Sequence, residues 1–517
     1  MHPHNDAGPV PLAHADRTKL LWSLGLSLFW VIFLWGIFTR EIYAMGANAF
    51  LYLTATMALF LWAMKRGGIS LRKNAAWIVP VFLIASSYLL YDNPFLKTVS
   101  ILVLPTTFAL FYNEAFLSAQ GRARWSGKTV EALVWRTLSI VTHVRKAGDL
   151  IGRLASRARK DPSTAKRVVI GVVLFLLVAV IAVIPLLSSA DAQFAATMGF
   201  VNDWIKKLFS TSLFGRALLL FLLSIGTIAA LLAWARPSSH PTTETETKNV
   251  DPIIAGIVLG GVLSLYALFL WIQLGHMWVG KLPVEFSETE RLVKDGFWQL
   301  LCLTVINIFF TFTTYRKTVP AVQRLLVVFI VASLLLLASA GYRMALYVTY
   351  YGLSYEKFFA SYAVAFCAIL LLWLVSRFFM RARADVVRFP VMLFLWMYAV
   401  LTVMPVEQII MRSNVALSHR QGSQIRLFEL TMLSPDVLGL VLKYQKEGVL
   451  EEKNPFYERE AAANAAGGAY SKPNFDWGPW IEDRSRSLSE KAWYEVTLAN
   501  AVTTWQLSAK AAGGDAE

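Results

Sequence analysis

The stretch Ala338 to Phe359, ASAGYRMALYVTYYGLSYEKFF, decides how the chain is read. Apolar residues fill Val319 to Ala340 before it and Phe358 to Phe379 after it, and each run is long enough to cross a hydrocarbon core of about 30 Å. The passage between two such runs is expected at a membrane surface. Its tyrosines, Tyr342, Tyr347, Tyr350, Tyr351 and Tyr355, suit the headgroup zone, where an amphipathic ring has one dry and one wet end. Gly352 offers a place to turn. Arg343, so near the end of a span, has to snorkel outward or find a carboxylate.

Composition agrees with that reading. Of 517 residues 56% are hydrophobic and the mean hydropathy is +0.51, too apolar for a soluble globule and expected of a polytopic, all-α membrane protein. The net charge of +15 would suggest nucleic acid in a soluble protein. Here the basic residues collect in particular connections, as the positive-inside rule expects. Cys302 and Cys367 both fall in apolar runs and form neither a disulfide framework nor a metal-ligand spacing. The polar start, Met1 to Thr18, precedes a run too long for a signal-peptide core, so it reads as leading into an uncleaved first span.

The remaining apolar runs follow in order. Residues 1–112 carry four: Leu20 to Phe38, Ala47 to Met64, Ala75 to Tyr91 and Phe95 to Tyr112, the last two with Pro80 and Pro105 inside, where kinks are expected rather than breaks. Lys65, Arg66, Arg72 and Lys73 make the second connection basic, while Arg40 with Glu41 and Asp92 with Lys97 leave the first and third nearly neutral. The amino terminus is therefore expected in the cytoplasm. Residues 113–167 hold twelve basic residues against four acids. Val130, Leu133, Val134, Leu138, Val141 and Val144 recur there at helical spacing, which predicts a basic amphipathic helix over 130–167 lying on anionic lipid of the inner leaflet. A nucleic-acid contact is not favoured, because nothing aromatic interleaves the basic residues at a stacking spacing.

Residues 168–235 add the runs Val168 to Leu187 and Phe214 to Trp234, with a flat outer helix over 194–209 between them. The Ser/Thr/Pro/Glu-rich segment 236–252 reads as a linker between two bundles. Residues 253–405 supply Ile253 to Val279, Phe297 to Thr314, the two runs around the opening stretch, and Phe389 to Pro405. The tally is about eleven crossings, an odd number, so the tail 406–517 is expected outside the cytoplasm as a small, mainly helical domain. Ser434 with Pro435 marks a helix start followed by the stripe Val437, Leu438, Val441, Leu442. Ser487 and Glu490 have capping-box spacing before a last helix. Phe475, Trp477 and Trp480 read as an aromatic loop that closes a small core.

Five pieces carry a resemblance: SSADAQF at Ser188 to Phe194, ETERLVKDGFWQLL at Glu288 to Leu301, the opening stretch, EQIIMRSNVAL at Glu407 to Leu417, and FELTMLSPDVLGLV at Phe428 to Val441. On these the chain resembles the bacterial polytopic membrane family catalogued as domain of unknown function 4173, with its relative numbered 4153. The resemblance implies a bacterial inner-membrane protein and assigns no activity. The charge-derived topology puts the matched pieces on one outer face, where Asp191, Glu290, Glu407, Arg291, Arg343 and Arg412 are expected to pair as a polar patch.

The sequence holds no nucleophile elbow, phosphate loop, metal spacing or dinucleotide fingerprint, so neither cofactor nor metal is expected. Gln273, His276 and Asn307 are the intramembrane polar candidates. The spans lack a central carboxylate, which weighs against an ion-coupled transporter. The reading is a non-enzymatic sensor, scaffold or assembly partner of envelope components, acting through its tail. Its alternatives are a transporter or channel for a small solute or lipid and, third, an envelope lipid-linked glycosyl transferase. A cavity lined by the intramembrane candidates would favour transport, and an acid pair facing an outer groove would favour the enzyme.

Overall fold

The computed structural model describes residues 14–37, 41–66, 68, 70, 72, 75–119, 127–156, 213–234, 250–277, 286–379, 387–420, 423, 425, 427–450 and 477–514. They form helices and connections without strands: α1 (His14–Phe33), α2 (Ala47–Arg66), α3 (Ala75–Leu90), α4 (Pro94–Ala119), α5 (Gly127–Ser156), α6 (Leu213–Trp234), α7 (Pro252–Met277), α8 (Phe286–Thr314), α9 (Pro320–Tyr351), α10 (Tyr355–Phe379), α11 (Arg388–Val403), α12 (Val406–Ser418), α13 (Leu438–Lys446), α14 (Trp477–Ser489) and α15 (Leu498–Gly514). Short 3-10 turns stand at Glu41–Ala44, Leu427–Met432 and Pro435–Val437.

Seven of the described helices are long and apolar enough to cross a membrane, or eight if the pair α11 and α12, bent by 68°, is one span. Thr18–Phe33 and Ala75–Leu90 are shorter apolar helices. The chain is thus a helical membrane protein. The run Val168 to Leu187, the flat helix over 194–209, residues 236–249 of the linker, and Phe475 lie outside the described residues.

The chain divides into two compact units: residues 1–75, 108–123 and 130–240 form one, and residues 76–107, 124–129 and 241–517 the other. The division therefore falls inside the first quarter as well as at the linker, because α3 and the first half of α4 pack with the later part of the chain. In the first unit α1 packs against α6 and α2. Leu20, Ala147 of α5, Ile228 and Ala229 are fully or almost fully buried together, and the two alanines let helix backbones approach closely. The Asn48 amide donates to the carbonyls of Phe33 (2.7 Å) and Ala44 (2.9 Å), tying the end of α1 to the start of α2. Of the helix expected over 130–167, α5 covers the part to Ser156, with Trp135, Val141 and Val144 exposed, and residues 157–167 lie outside the described residues.

In the second unit α9 is the central element and packs against α7, α8 and α10. Its buried face, including Leu326, Phe329, Ile330, Leu336, Leu337 and Ala340, meets Leu259, Phe297 and Leu371 of those neighbours. The opening stretch differs from expectation: α9 runs 32 residues, to Tyr351. Only Gly352 to Ser354 separate it from α10, so Arg343 and four of the five tyrosines lie within α9, and Tyr355 opens α10. Nothing between Ala338 and Tyr351 breaks a helix, and the one residue that ends it is Gly352, at φ +76°. The Lys357 ammonium then donates to the carbonyls of Tyr351 (3.1 Å) and Gly352 (2.8 Å), supplying positive charge at the helix end.

Three tail expectations change as well. Val406 to Ser418 continues the last run as α12 beyond the bend at Met404 and Pro405, where proline removes a backbone donor. The aromatic loop is instead the first turn of α14: Trp477 and Trp480 are buried with their rings edge to face, and Trp480 Nε1 donates to the Thr431 carbonyl at 3.0 Å. Its proline, Pro479, sits in the first turn, where a missing N–H costs nothing. The capping-box pair does not open the last helix, since Ser487 lies inside α14; Thr497 Oγ1 accepts from Asn500 N at 3.2 Å and starts α15.

Candidate functional site

The polar candidates fall into two clusters of the second unit and a remainder. The first cluster lies among the spans. Tyr266 of α7 donates to Asn307 Oδ1 at 2.8 Å, and Asn307 Nδ2 donates to Ser333 Oγ of α9 at 2.9 Å. Asn307 is 3% exposed, and both ends of its amide are used in joining three helices. Gln273 and His276 are in α7, but their side chains are outside the described residues.

The second cluster forms where α3 hands over to α4. Asp92 occupies the connection, capped on its far side by Asn93, whose Oδ1 accepts from Leu96 N at 2.9 Å. Both Asp92 and Lys97 are almost wholly buried, and Lys97 Nζ lies 2.7 Å from Asp92 Oδ1. Lys491, between α14 and α15, pairs with Asp92 Oδ2, and Asn500 Nδ2 donates to the same oxygen at 3.2 Å. The Asp92 amide in turn donates to Asp436 Oδ2. One carboxylate thus gathers groups some 400 positions apart in the chain.

Asp436 belongs to the turn opened by Ser434, as the sequence predicts: Ser434 Oγ accepts from Asp436 N at 3.3 Å, with Pro435 in the first position. The same hydroxyl and the Ser434 amide donate to Glu407 Oε2, the amide at 2.9 Å. Tyr355 at the start of α10 donates to Glu407 Oε1. Glu407, 3% exposed at the first turn of α12, is therefore a carboxylate held by hydroxyl and amide donors. A neighbouring clamp fixes the geometry: Leu353 N donates to Asn414 Oδ1 (2.6 Å) and Asn414 Nδ2 donates to Leu353 O (2.7 Å).

Three carboxylates, Asp92, Glu407 and Asp436, face two ammonium groups in this junction. Burial pushes the Asp92 carboxyl up, but the ammonium groups of Lys97 and Lys491 outweigh it and hold Asp92 below the ordinary carboxylate range. Burial, then the charges of Glu407 and Asp92, push Asp436 well above that range. Asp436 Oδ1 and Asn500 Oδ1 are buried and accept no hydrogen bond among the described residues. Asp436 also faces a small cavity shared with Tyr91, Lys97 and Glu407. Its other side borders an open cleft of roughly 980 Å³ between the end of α3 and helices α12, α13 and α15.

Of the six residues expected to form one outer patch, Glu407 enters the junction. Arg412 is exposed and lines the cleft. Arg343 is half-buried along α9 and makes no ion pair with a described side chain. Glu290 and Arg291 are in the first turns of α8 with side chains outside the described residues, and Asp191 lies outside them altogether. Sequence reading passed over Asp92, Lys97, Lys491, Asn500 and Asp436. A signal was present for one of them: Lys97 is an ionisable residue just inside an apolar run, which by itself calls for a partner.

These features define a class: a helical membrane protein whose spans are joined by neutral polar contacts and whose carboxy-terminal segment is fixed to them through a buried charged junction. The chain belongs to the family described as Domain of unknown function (DUF4153), whose model matches residues 78–444. That is the relative named second in the sequence-based resemblance, and the match takes in the runs holding Asp92 and Lys97, where no family motif was apparent. No curated protein and no solved structure matches the chain.

Proposed function

We propose that this is a multi-pass protein of the bacterial inner membrane that acts as a non-enzymatic sensor, scaffold or assembly partner of envelope components. In this reading the amino terminus is cytoplasmic, the chain crosses eleven times, and the segment after α12 faces outward. The crossings would comprise the described spans, the two shorter apolar helices and the run Val168 to Leu187.

The observation that carries the reading is the contrast within the carboxy-terminal segment. Its inner side is anchored through Asp92, Lys97 and Lys491, while its surface presents Met432 (83% exposed), Trp493 (79%) and Trp505 (70%). A firmly seated helical segment with large apolar side chains outward suits protein partners. The exposed Trp135, Val141 and Val144 on basic α5 suit anionic lipid.

Lipid handling is a second reading, supported by the cleft beside Asp436. Asp436 also supports the glycosyl transferase, although its acidic companion Glu407 is already engaged by Ser434 and Tyr355.

Photo-crosslinking from position 505 in living cells tests the partner reading. A discrete protein adduct that disappears with Trp493→Ser is expected, and adducts to lipid alone would overturn it. A periplasmic phosphatase fused after Gly514 should be active; an inactive fusion beside a fluorescent cytoplasmic reporter would reverse the orientation.

A further inference from the structure

The junction leaves two requirements unmet. Asp436 is 5% exposed, yet its Oδ1, like Asn500 Oδ1, has no donor among the described residues, and buried acceptors as a rule are satisfied. The three carboxylates also outnumber the two lysines by one, so the buried Asp436 carboxyl, which burial and its acidic neighbours keep protonated, can ionise only if a further cation joins it. At Asp436, which unlike Asn500 lines the open cleft, both are met by one group: a cation that carries N–H donors.

The cleft over Asp436 says what else that group is attached to. Arg412, Lys443 and Lys446 are exposed on its lining, and among the described lining residues Asp436 is the one carboxylate. Anion-binding residues thus stand beside a cation-seeking floor. Between them Leu90, Leu440, Leu442, Leu498 and Val502 form apolar wall, with Leu498 and Val502 half exposed. A soluble zwitterion would leave that wall wet. An amphiphile covers it, and Leu90 is the last residue of apolar α3.

We propose that the cleft binds a phospholipid whose headgroup ends in a primary ammonium, with the ammonium at Asp436, the phosphate at Arg412, Lys443 and Lys446, and acyl chain along the leucine wall. The assignment rests on the cleft itself and holds whichever leaflet it faces and whether or not a protein partner binds the tail.

Native mass spectrometry of the full chain in detergent tests it, with phosphatidylethanolamine, phosphatidylglycerol and phosphatidylcholine offered at equal concentration. The ethanolamine lipid should be retained about tenfold over the other two, because glycerol lacks the charge and the trimethylated amine lacks the donors. Asp436→Asn should abolish the preference. Exchanging the exposed pair Arg412→Ser and Lys446→Ser should weaken all three lipids alike without touching the buried junction. Equal retention of the three lipids by the natural chain, or an unchanged preference in Asp436→Asn, would overturn the proposal. Displacement of the lipid by soluble phosphoethanolamine at equal concentration would overturn its lipid part.

Discussion

Two polar clusters of the second unit meet the same problem, buried hydrogen-bonding groups, in opposite ways. Tyr266, Asn307 and Ser333 link three spans with neutral groups only. Asp92, Lys97, Lys491, Glu407 and Asp436 concentrate five ionisable groups at the ends of the spans. Neutral contacts tolerate the hydrocarbon because each group is hydrogen-bonded there and costs far less to move out of water than a charge does. Charges need a full set of partners, and those become available only where chain from other parts of the sequence arrives. The difference is also one of control: the triad is indifferent to pH, whereas the junction is set by it.

The largest test of that contrast removes one member of the buried ion pair. Lys491→Met leaves Asp92 with a single ammonium and should cost roughly 3–5 kcal/mol, read as a steep rise in hydrogen exchange across Leu498–Gly514 with α9 unaffected. If exchange in α15 does not change, the junction is not what holds the segment.

Next comes Gly352→Ala. At φ +76° a side chain is strained, and the added Cβ would lie 2.6 Å from Asn414 Oδ1, breaking the Leu353 clamp. A loss of about 1–3 kcal/mol is expected, seen as a lower thermal midpoint. A neutral result would mean that the clamp contributes little.

Asn307→Leu should cost less, about 1 kcal/mol, as for other polar contacts between membrane helices. Its effect should be the same from acid to neutral pH, where all three groups of the triad stay neutral.

The pH arm gives the subtlest signal. Asp436 faces Tyr91, Asp92, Lys97, Glu407 and Arg412 from the elements packed around it, with Lys491 beyond Asp92. Its folded-state pKa is raised, so the stability that it contributes is complete below about pH 4, its unfolded value, and is lost as pH rises through the folded value. Asp92 has the opposite sign: its contribution is present above about pH 4 and lost in acid. Stability of the α15 contact should therefore peak in mild acid, and Asp436→Asn should remove only the decline on the rising-pH side of that peak. A decline that survives the substitution would assign it to another group.

The spans were legible in the sequence because hydropathy over some twenty residues is a strong, local signal; the run Phe297 to Thr314 ends where α8 does. Helix ends were less so. The tyrosine-rich stretch looked like a surface connection since its polarity rises at Arg343, yet polarity does not end a helix, and Gly352 does. Glu407 and the Ser434–Pro435 turn were visible from position and capping chemistry. Asp436 was hidden inside that turn, while Asp92 with Lys97 looked like an ordinary neutral connection. What gives them their role is Lys491 and Asn500, and no spacing rule reaches across 400 residues.

The length of α9 has a mechanical consequence. At about 1.5 Å per residue, its 32 residues measure about 48 Å, well beyond the roughly 30 Å of hydrocarbon it has to traverse. Either it leans steeply or it stands proud of the bilayer by about three turns. Standing proud, it becomes a mast that carries the clamp at Leu353 and the charged groups behind it clear of the lipid tails, into a layer where water and protons can reach them.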